Sequence, residues 1–324
     1  MSNVIAITGA SGFVGRHLVD ALCSSGADLR LLIHRTVPKQ SLGRPNVSIV
    51  RGDLRDASSL GNLFKKGATV VHLAYSSQST ATDNIRAMEN LADACRERGV
   101  RRLVHVSTAV VVGKCRGDRV DETTRCQPVD EYEATKLAIE RTVLARATEE
   151  FDVAILRPTA VFGPGGKNLL KLAHELTRGN SAKGWLKRSL YGNRRLNAVA
   201  VENVVSAIRF LVERPTRIGG EVYIVSDDEC PENNYRDVEA FLRKRFGLPE
   251  SIVPRAPLPG SILSALLRYR GRSSINPGRN YDCHKLLRAG WVKPASFEES
   301  LDAFADWYEC EFLSTAARQE AIAA

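Results

Sequence analysis

Short, continuously apolar runs alternate along the chain with longer segments whose apolar positions recur every three or four residues. Val4–Thr8, Leu29–Ile33, Val47–Arg51, Val70–Ala74, Arg102–Ser107 and Val153–Arg157 read as strands. Gly15–Ser25, Ser58–Lys65, Ile85–Arg98 and Glu131–Arg146 read as helices between them. Strands covered on both faces are apolar throughout rather than alternating, as parallel strands are. Regular β-α alternation predicts right-handed crossovers and an α/β fold built on a doubly wound parallel sheet. The pattern changes after the turn Gly163-Pro164-Gly165-Gly166. Leu169–Thr177, Val201–Glu213, Tyr235–Arg245 and Phe297–Phe312 then read as helices and Glu221–Val225 as a strand. Residues 250–280, with four prolines, read as irregular structure. The expected organisation is a first domain over 1–165 with 197–227 packing back onto it. A smaller C-terminal α/β lobe takes 166–196 and 228–312, and 313–324 form a tail.

Composition narrows the class. The 324 residues are 44% hydrophobic and 26% charged, ordinary for a globular enzyme and unlike collagen, coiled coils or disordered chains. The seven cysteines include no C-x-x-C pair and no zinc spacing with histidine, so no metal site is expected. No apolar run approaches the roughly 18 residues of a membrane span, and no signal peptide opens the chain, so a reduced, cytoplasmic protein without a membrane partner is expected. The net charge of +9 suits nucleic acid, an acidic surface or a polyanionic substrate without choosing among them. Its densest basic segments are Lys183–Arg195 and Arg268–Arg279.

The first strand runs into Gly9-Ala10-Ser11-Gly12-Phe13-Val14-Gly15, and a helix follows. One glycine permits the tight bend, a second lets backbone approach a pyrophosphate, and a third lets helix pack on strand. The helix N-terminus then favours the phosphate charge. With Thr8 before it, the G-x-x-G-x-x-G spacing resembles the extended branch of the short-chain dehydrogenase/reductase superfamily, which implies a Rossmann-type fold. The resemblance continues along most of the chain. Asp53-Leu54 is similar to the family's adenine-binding pair, and Val71-His72-Leu73-Ala74, followed by Tyr75, to its fourth-strand signature. Asn84 stands where the family has a helix Asn near the active site. Arg157-Pro158-Thr159-Ala160-Val161-Phe162-Gly163-Pro164 resembles R-P-x-x-V-Y-G-P, whose Pro borders the nicotinamide.

Tyr132 and Lys136 form Y-x-x-x-K, and the i,i+4 spacing places both on one helix face. A phenol titrates near ~10, so acid/base work at neutrality needs a neighbouring cation. Strand Arg102–Ser107 leads into Thr108, at the position where the family places a hydroxyl that polarises the substrate carbonyl. The resemblance implies that Tyr132 exchanges the proton and Thr108 bonds the oxygen. Lys136 lowers the Tyr132 pKa and holds the nicotinamide ribose, and Ser107 borders the cofactor. Ala109 and Val110 replace the acid pair of the branch's sugar dehydratases and move no protons. Carbinol/ketone redox, or 4-epimerisation through a ketone, remains.

The second strand ends in His34-Arg35 with no acid for the ribose hydroxyls, so NADP is expected to be preferred, with NAD the alternative. Asn168-Leu169 resembles the pair with which the branch's nucleotide-sugar enzymes begin substrate binding. Asn168, Arg194 and Arg195 are therefore expected as substrate contacts. Leu196, however, occupies the place of the family's usual diphosphate Arg, and Leu196–Val205 also resembles 3β-hydroxysteroid dehydrogenase-like enzymes. The favoured expectation is 4-keto reduction of a nucleotide-diphosphate sugar by a homodimer that binds no nucleic acid. The alternatives are a 4-epimerase, a 3β-hydroxysteroid- or dihydroflavonol-type dehydrogenase, and a non-catalytic dinucleotide sensor or RNA-binding relative.

Overall fold

The computed structural model describes residues 4–38, 41, 43–115, 117–179, 192, 194–250, 276 and 278–314. In chain order the elements are β1 (Val4–Thr8), α1 (Phe13–Ser24), β2 (Asp28–Ile33), β3 (Val47–Arg51), β4 (Thr69–His72), α2 (Ala81–Glu97), β5 (Arg102–Val106), β6 (Arg119–Val120), α3 (Glu131–Leu144) and β7 (Asp152–Pro158). There follow β8 (Ala160–Phe162), α4 (Leu170–Thr177), β9 (Ala198–Ala200), α5 (Val201–Glu213), β10 (Val222–Val225), α6 (Tyr235–Arg245), β11 (Asn280–Tyr281), α7 (His284–Arg288) and α8 (Phe297–Tyr308). Seven strands form one sheet in the order β10-β7-β5-β4-β1-β2-β3, and every pairing within it is parallel. The chain starts in the middle, passes outward through β2 and β3, and returns to the other side of β1 as β4. That reversal opens a crevice at the carboxyl ends of β1 and β4, the place where doubly wound sheets bind ligands.

Alternate residues of a strand face opposite sides of the sheet. Ile5 and Ile7 pack with Leu18 and Leu22 of α1 and with Val204 and Ile208 of α5. Ala6, Val70 and Leu103 pack with Met88 and Leu91 of α2 and with Ile139 and Val143 of α3. Both faces are covered, which is why the strands are apolar throughout. A separate cluster of Phe162, Leu172, Leu176, Val238, Leu242, Phe304 and Tyr308 joins α4, α6 and α8 to β8 and β9. Arg102, 1% exposed, ties strands to loops. Its Nε donates to Asp152 Oδ2 at 2.7 Å, and its Nη atoms donate to the carbonyls of Leu211, Arg214 and Thr216.

Several expected elements differ. Helix Ser58–Lys65 is a single 3-10 turn, Ala57–Leu60, capped by Asp56. Leu60, Leu63 and Phe64 are buried at helical spacing, but the 3-10 turn ends at Leu60 with Gly61 as its C-cap. Strand Val70–Ala74 ends at His72, freeing Leu73 and Ala74 to line the crevice. Helix α2 begins four residues before the expected Ile85, because Thr80 and Asp83 form a reciprocal capping box. Helix Phe297–Phe312 ends at Tyr308 and widens into one π turn, Glu309–Leu313. The two-residue β6 and β11, the short β8 and β9, and α7 carry too little periodicity to be read in advance. The expected irregular segment falls outside the described residues at 251–275 and 277. The expected tail does so from 315 onward, as do the basic Lys183, Lys187 and Arg188.

Candidate active site

The crevice at the end of β1 is a cleft of about 590 Å³. Gly9, Ser11 and Gly12 form one wall, Leu73, Ala74 and Tyr75 another, and His34, Arg35, Asp53 and Leu54 its far end. The turn is close-packed. Gly9 has φ 77°, and a Cβ there would lie 2.7 Å from the Ala74 nitrogen. A Cβ on Gly15 would lie 2.2 Å from the Gly9 carbonyl oxygen. No side chain caps α1, whose N-cap is Gly12, so its first amides are left for a ligand. Phe13 and Val14 pack against the core, with Phe13 also against Gly166. The residues fit a dinucleotide: a glycine cradle, an uncapped helix start, and a buried Ser107 Oγ with no hydrogen-bond partner among the described residues.

At the far end, Asp53 is gripped by Arg55, whose Nη2 lies 2.6 Å from Oδ2 and whose Nε reaches both oxygens. That guanidinium holds the Asp53 carboxyl down at about 2. His34 Nε2 lies 3.5 Å from the same carboxylate. Arg35 is exposed, and its carbonyl accepts from Arg51 Nη1. Asn84 lines the cleft but is spent on shape: its amide donates to the Ser76 and Thr80 carbonyls and accepts from the Ser76 N–H.

Tyr75 connects the cleft to the expected catalytic group. Its ring meets that of Tyr132 edge-on at 5.3 Å, and Lys136 Nζ stands 5.3 Å from its centroid. Asp130 caps α3 by accepting from the Glu133 amide, fixing the turn that carries Tyr132. Tyr132 remains 43% exposed, whereas Lys136 is buried and donates to the Val106 carbonyl at 3.2 Å. Burial pushes Lys136 down to about 8, against the opposing pull of Glu140 one turn on. Burial and the neighbouring Tyr75 raise the Tyr132 pKa, and Thr108 offsets part of that rise. The direction is opposite to the one expected from a neighbouring ammonium, because burial dominates. Pro158 closes β7, paired with Val225.

Among the residues beyond the expected set that line the cleft are Thr8 and His72. Thr8 Oγ1 and His72 Nδ1 lie 2.6 Å apart, and His72 stacks on His105 at 5.3 Å. Register pairs Thr8 with His72 and His72 with His105, so they form one buried polar row under α2 and α3. Polar residues ending three apolar strands were the available signal. Of the expected substrate contacts, Asn168 and Arg195 use side-chain donors within the fold and Arg194 its backbone carbonyl. Asn168 Nδ2 donates to the Val161 carbonyl, Arg195 Nη1 to the Asp228 and Cys230 carbonyls, and the Arg194 carbonyl accepts from Tyr235. No group of His, Cys, Asp and Glu among the described residues could hold a metal ion, and no described helix is long and apolar enough to cross a membrane.

Known proteins resemble this chain. Sterol demethylase protein B of Methylococcus capsulatus is 27% identical over 304 residues, 88% of each chain. Human sterol-4-alpha-carboxylate 3-dehydrogenase, decarboxylating, is 27% identical over 237 residues, 69% of this chain and 62% of the human protein. The solved structure of MoeE5 in complex with UDP-glucuronic acid and NAD superimposes with a TM-score of 0.70 at 24% identity, covering 96% of this chain and 100% of that one, a likeness of fold. Residues 5–226 match the family described as NAD dependent epimerase/dehydratase, and the chain belongs to that family of oxidoreductases.

Proposed function

We propose that this enzyme interconverts a secondary alcohol and a ketone on an apolar, ring-bearing substrate, with NADP preferred over NAD. The observation that carries the substrate class is the surface around the phenol. Val110 and Val129, beside Thr108 and Tyr132 in sequence, stay 38% and 46% exposed, while the Arg195 guanidinium is turned onto loop carbonyls. Leu196 packs against the apolar cluster of the second lobe. An exposed apolar rim fits an apolar ligand better than a diphosphate. The two sterol-related relatives agree with this reading.

A nicotinamide held in the cleft would supply the hydride chemistry. The rest belongs to the chain. Tyr132, with its pKa held above the ordinary range by burial, stays protonated at neutral pH and donates its proton to the carbonyl oxygen during reduction. Thr108 donates a hydrogen bond to the same oxygen. Lys136, charged at neutral pH though pushed down to about 8, holds the ribose side of the site. Arg35, with Arg51 and Arg55 close by and Asp53 already paired, offers a 2′-phosphate a positive surface.

A second reading, 4-keto reduction of a nucleotide-diphosphate sugar, draws on the basic run Lys183–Arg195. Thermal shift on the NADP-bound enzyme separates the two. The expected result is no rise in Tm with UDP, dTDP or GDP at millimolar levels, and NADPH oxidation with a 3-ketosteroid. A nucleoside-diphosphate shift that weakens with salt favours the sugar reading. In the same series Arg35→Ala is expected to weaken NADP more than NAD; equal losses remove Arg35 from the phosphate site.

A further inference from the structure

Tyr75 stands just past the end of β4, on the wall of the cleft beside Leu73 and Ala74. Its ring touches both members of the Y-x-x-x-K pair at once. Lys136 Nζ lies over the ring, 5.3 Å from its centroid, and the Tyr132 ring meets it at 5.3 Å with an interplanar angle of 86°. Tyr132 and Lys136 sit one helical turn apart on α3, so a ring against both is held from two sides. Its apolar body also packs against the core cluster that contains Met88 and Leu91 of α2.

Lys136 needs such a neighbour. An ammonium carries three donors, and burial without a partner favours loss of its proton. Among the described residues its hydrogen bond goes to the Val106 carbonyl at 3.2 Å, and no described carboxylate lies within ion-pairing distance. Lys293 is a contrast: it pairs with Asp227 and Glu229 and donates to the Ser226 carbonyl, and these partners hold its pKa above the ordinary value. Lys285 also stands over a ring, 5.1 Å from the Tyr223 centroid, but has Glu221 and the Val222 carbonyl as well. For Lys136 the negative face of the Tyr75 ring is the surface at hand. The other groups around the ammonium do not replace it. Glu140, one turn on along α3, attracts it but is itself held by two hydrogen bonds from Arg157 of β7. His72 of β4 and His105 of β5 feel its charge, and burial keeps both neutral at neutral pH. Asp130 and Glu131, at the start of α3, act on the Tyr75 phenol.

We propose that Tyr75 is a positioning residue whose ring face keeps the Lys136 ammonium charged and in place at the wall of the cleft before a dinucleotide enters. This rests on the reading above that Lys136 holds the ribose side of the site. A π face suits the task better than a carboxylate, because it attracts the cation without tying an N–H to a charged acceptor and so releases it easily to ribose hydroxyls.

The test titrates the full chain with NADP between about pH 6 and pH 9.5 and reads Kd by calorimetry. Burial places Lys136 at about 8, so wild-type affinity is expected to fall above that point as the ammonium is lost. Lys136→Met should abolish that fall. In Tyr75→Leu the fall should begin about one pH unit lower, leaving NADP up to about tenfold weaker near pH 9 and nearly unchanged near pH 6.5. Tyr75→Phe, which keeps the ring and loses the hydroxyl, should follow the wild type. A ring that serves only as packing predicts a loss of equal size at every pH, and that outcome overturns the proposal. So does a Tyr75→Leu curve that coincides with the wild type, or a Tyr75→Phe curve that follows Tyr75→Leu. Should Tyr75→Leu not fold, Tyr75→Met carries the same comparison. If Lys136→Met still shows the fall, the reading that Lys136 holds the ribose is wrong and the proposal goes with it. If Lys136→Met loses the fall and Tyr75→Leu does not move it, the proposal alone is overturned.

Discussion

Tyr132 shows how burial decides the work a side chain does. Its phenol sits against Tyr75, and burial raises its pKa, so on the proposed reading it enters a reduction in the protonated form. Tyr132→Phe is therefore expected to lower turnover by ~10²-fold or more while NADP affinity stays nearly unchanged, as single-turnover rates and a cofactor titration can measure. Equal turnover in the two proteins would remove Tyr132 from the acid's role. Thr108, Tyr132 and Lys136 were legible as a spacing because each lies at a fixed offset from a strand end or along one helix. The place of Tyr75 between Tyr132 and Lys136 was not, because that contact joins the end of β4 to α3 and no local pattern encodes it.

At the scale of elements, the glycine turn is where local sequence and tertiary packing agree most closely. Gly15 has no room for a side chain, because a Cβ would press on the Gly9 carbonyl, a backbone atom that cannot rotate away. Gly15→Ala is expected to cost ~2–4 kcal/mol of stability and to abolish measurable dinucleotide binding, since the turn and α1 must separate. Denaturant unfolding with and without NADP reads both effects; a variant that still gains stability from NADP would show that the turn tolerates the separation. Helices α5 and α6 match their expected bounds, each an amphipathic segment facing one core. The Ser58–Lys65 segment misled because buried residues at helical spacing also suit a single 3-10 turn followed by a loop. Strands of two or three residues, such as β6, β8, β9 and β11, are defined by their partners and carry no period of their own.

For the whole molecule, acid sensitivity follows from groups buried in unfavourable charge states. His72 is driven from 6.5 to about 3, mainly by burial and then by Lys136, and His105 beside it is also held well below its ordinary value. Between those limits the unfolded chain binds protons that the folded row refuses, so stability rises with pH across that window and is lost on acidification. Asp228 works the other way. Burial raises it from 3.8 to about 6, so the folded state binds the extra proton and stability from this group falls as pH rises through the same range. Asp53 and Asp282, held near about 2, add a loss that begins only below their ordinary 3.8. The larger displacement wins, and His72 alone is worth on the order of 3 kcal/mol between pH 6.5 and about 4. Tm is thus expected to fall steadily over that interval. His105→Phe should flatten the fall, because one refusing imidazole is gone and its neighbour then stacks on a ring that never charges. Asp228→Asn should steepen it, because the opposing carboxyl no longer titrates. Scanning calorimetry of the three proteins in buffers of matched ionic strength reads the slopes directly. Parallel curves would mean that the buried row relaxes and admits water before it must accept a proton.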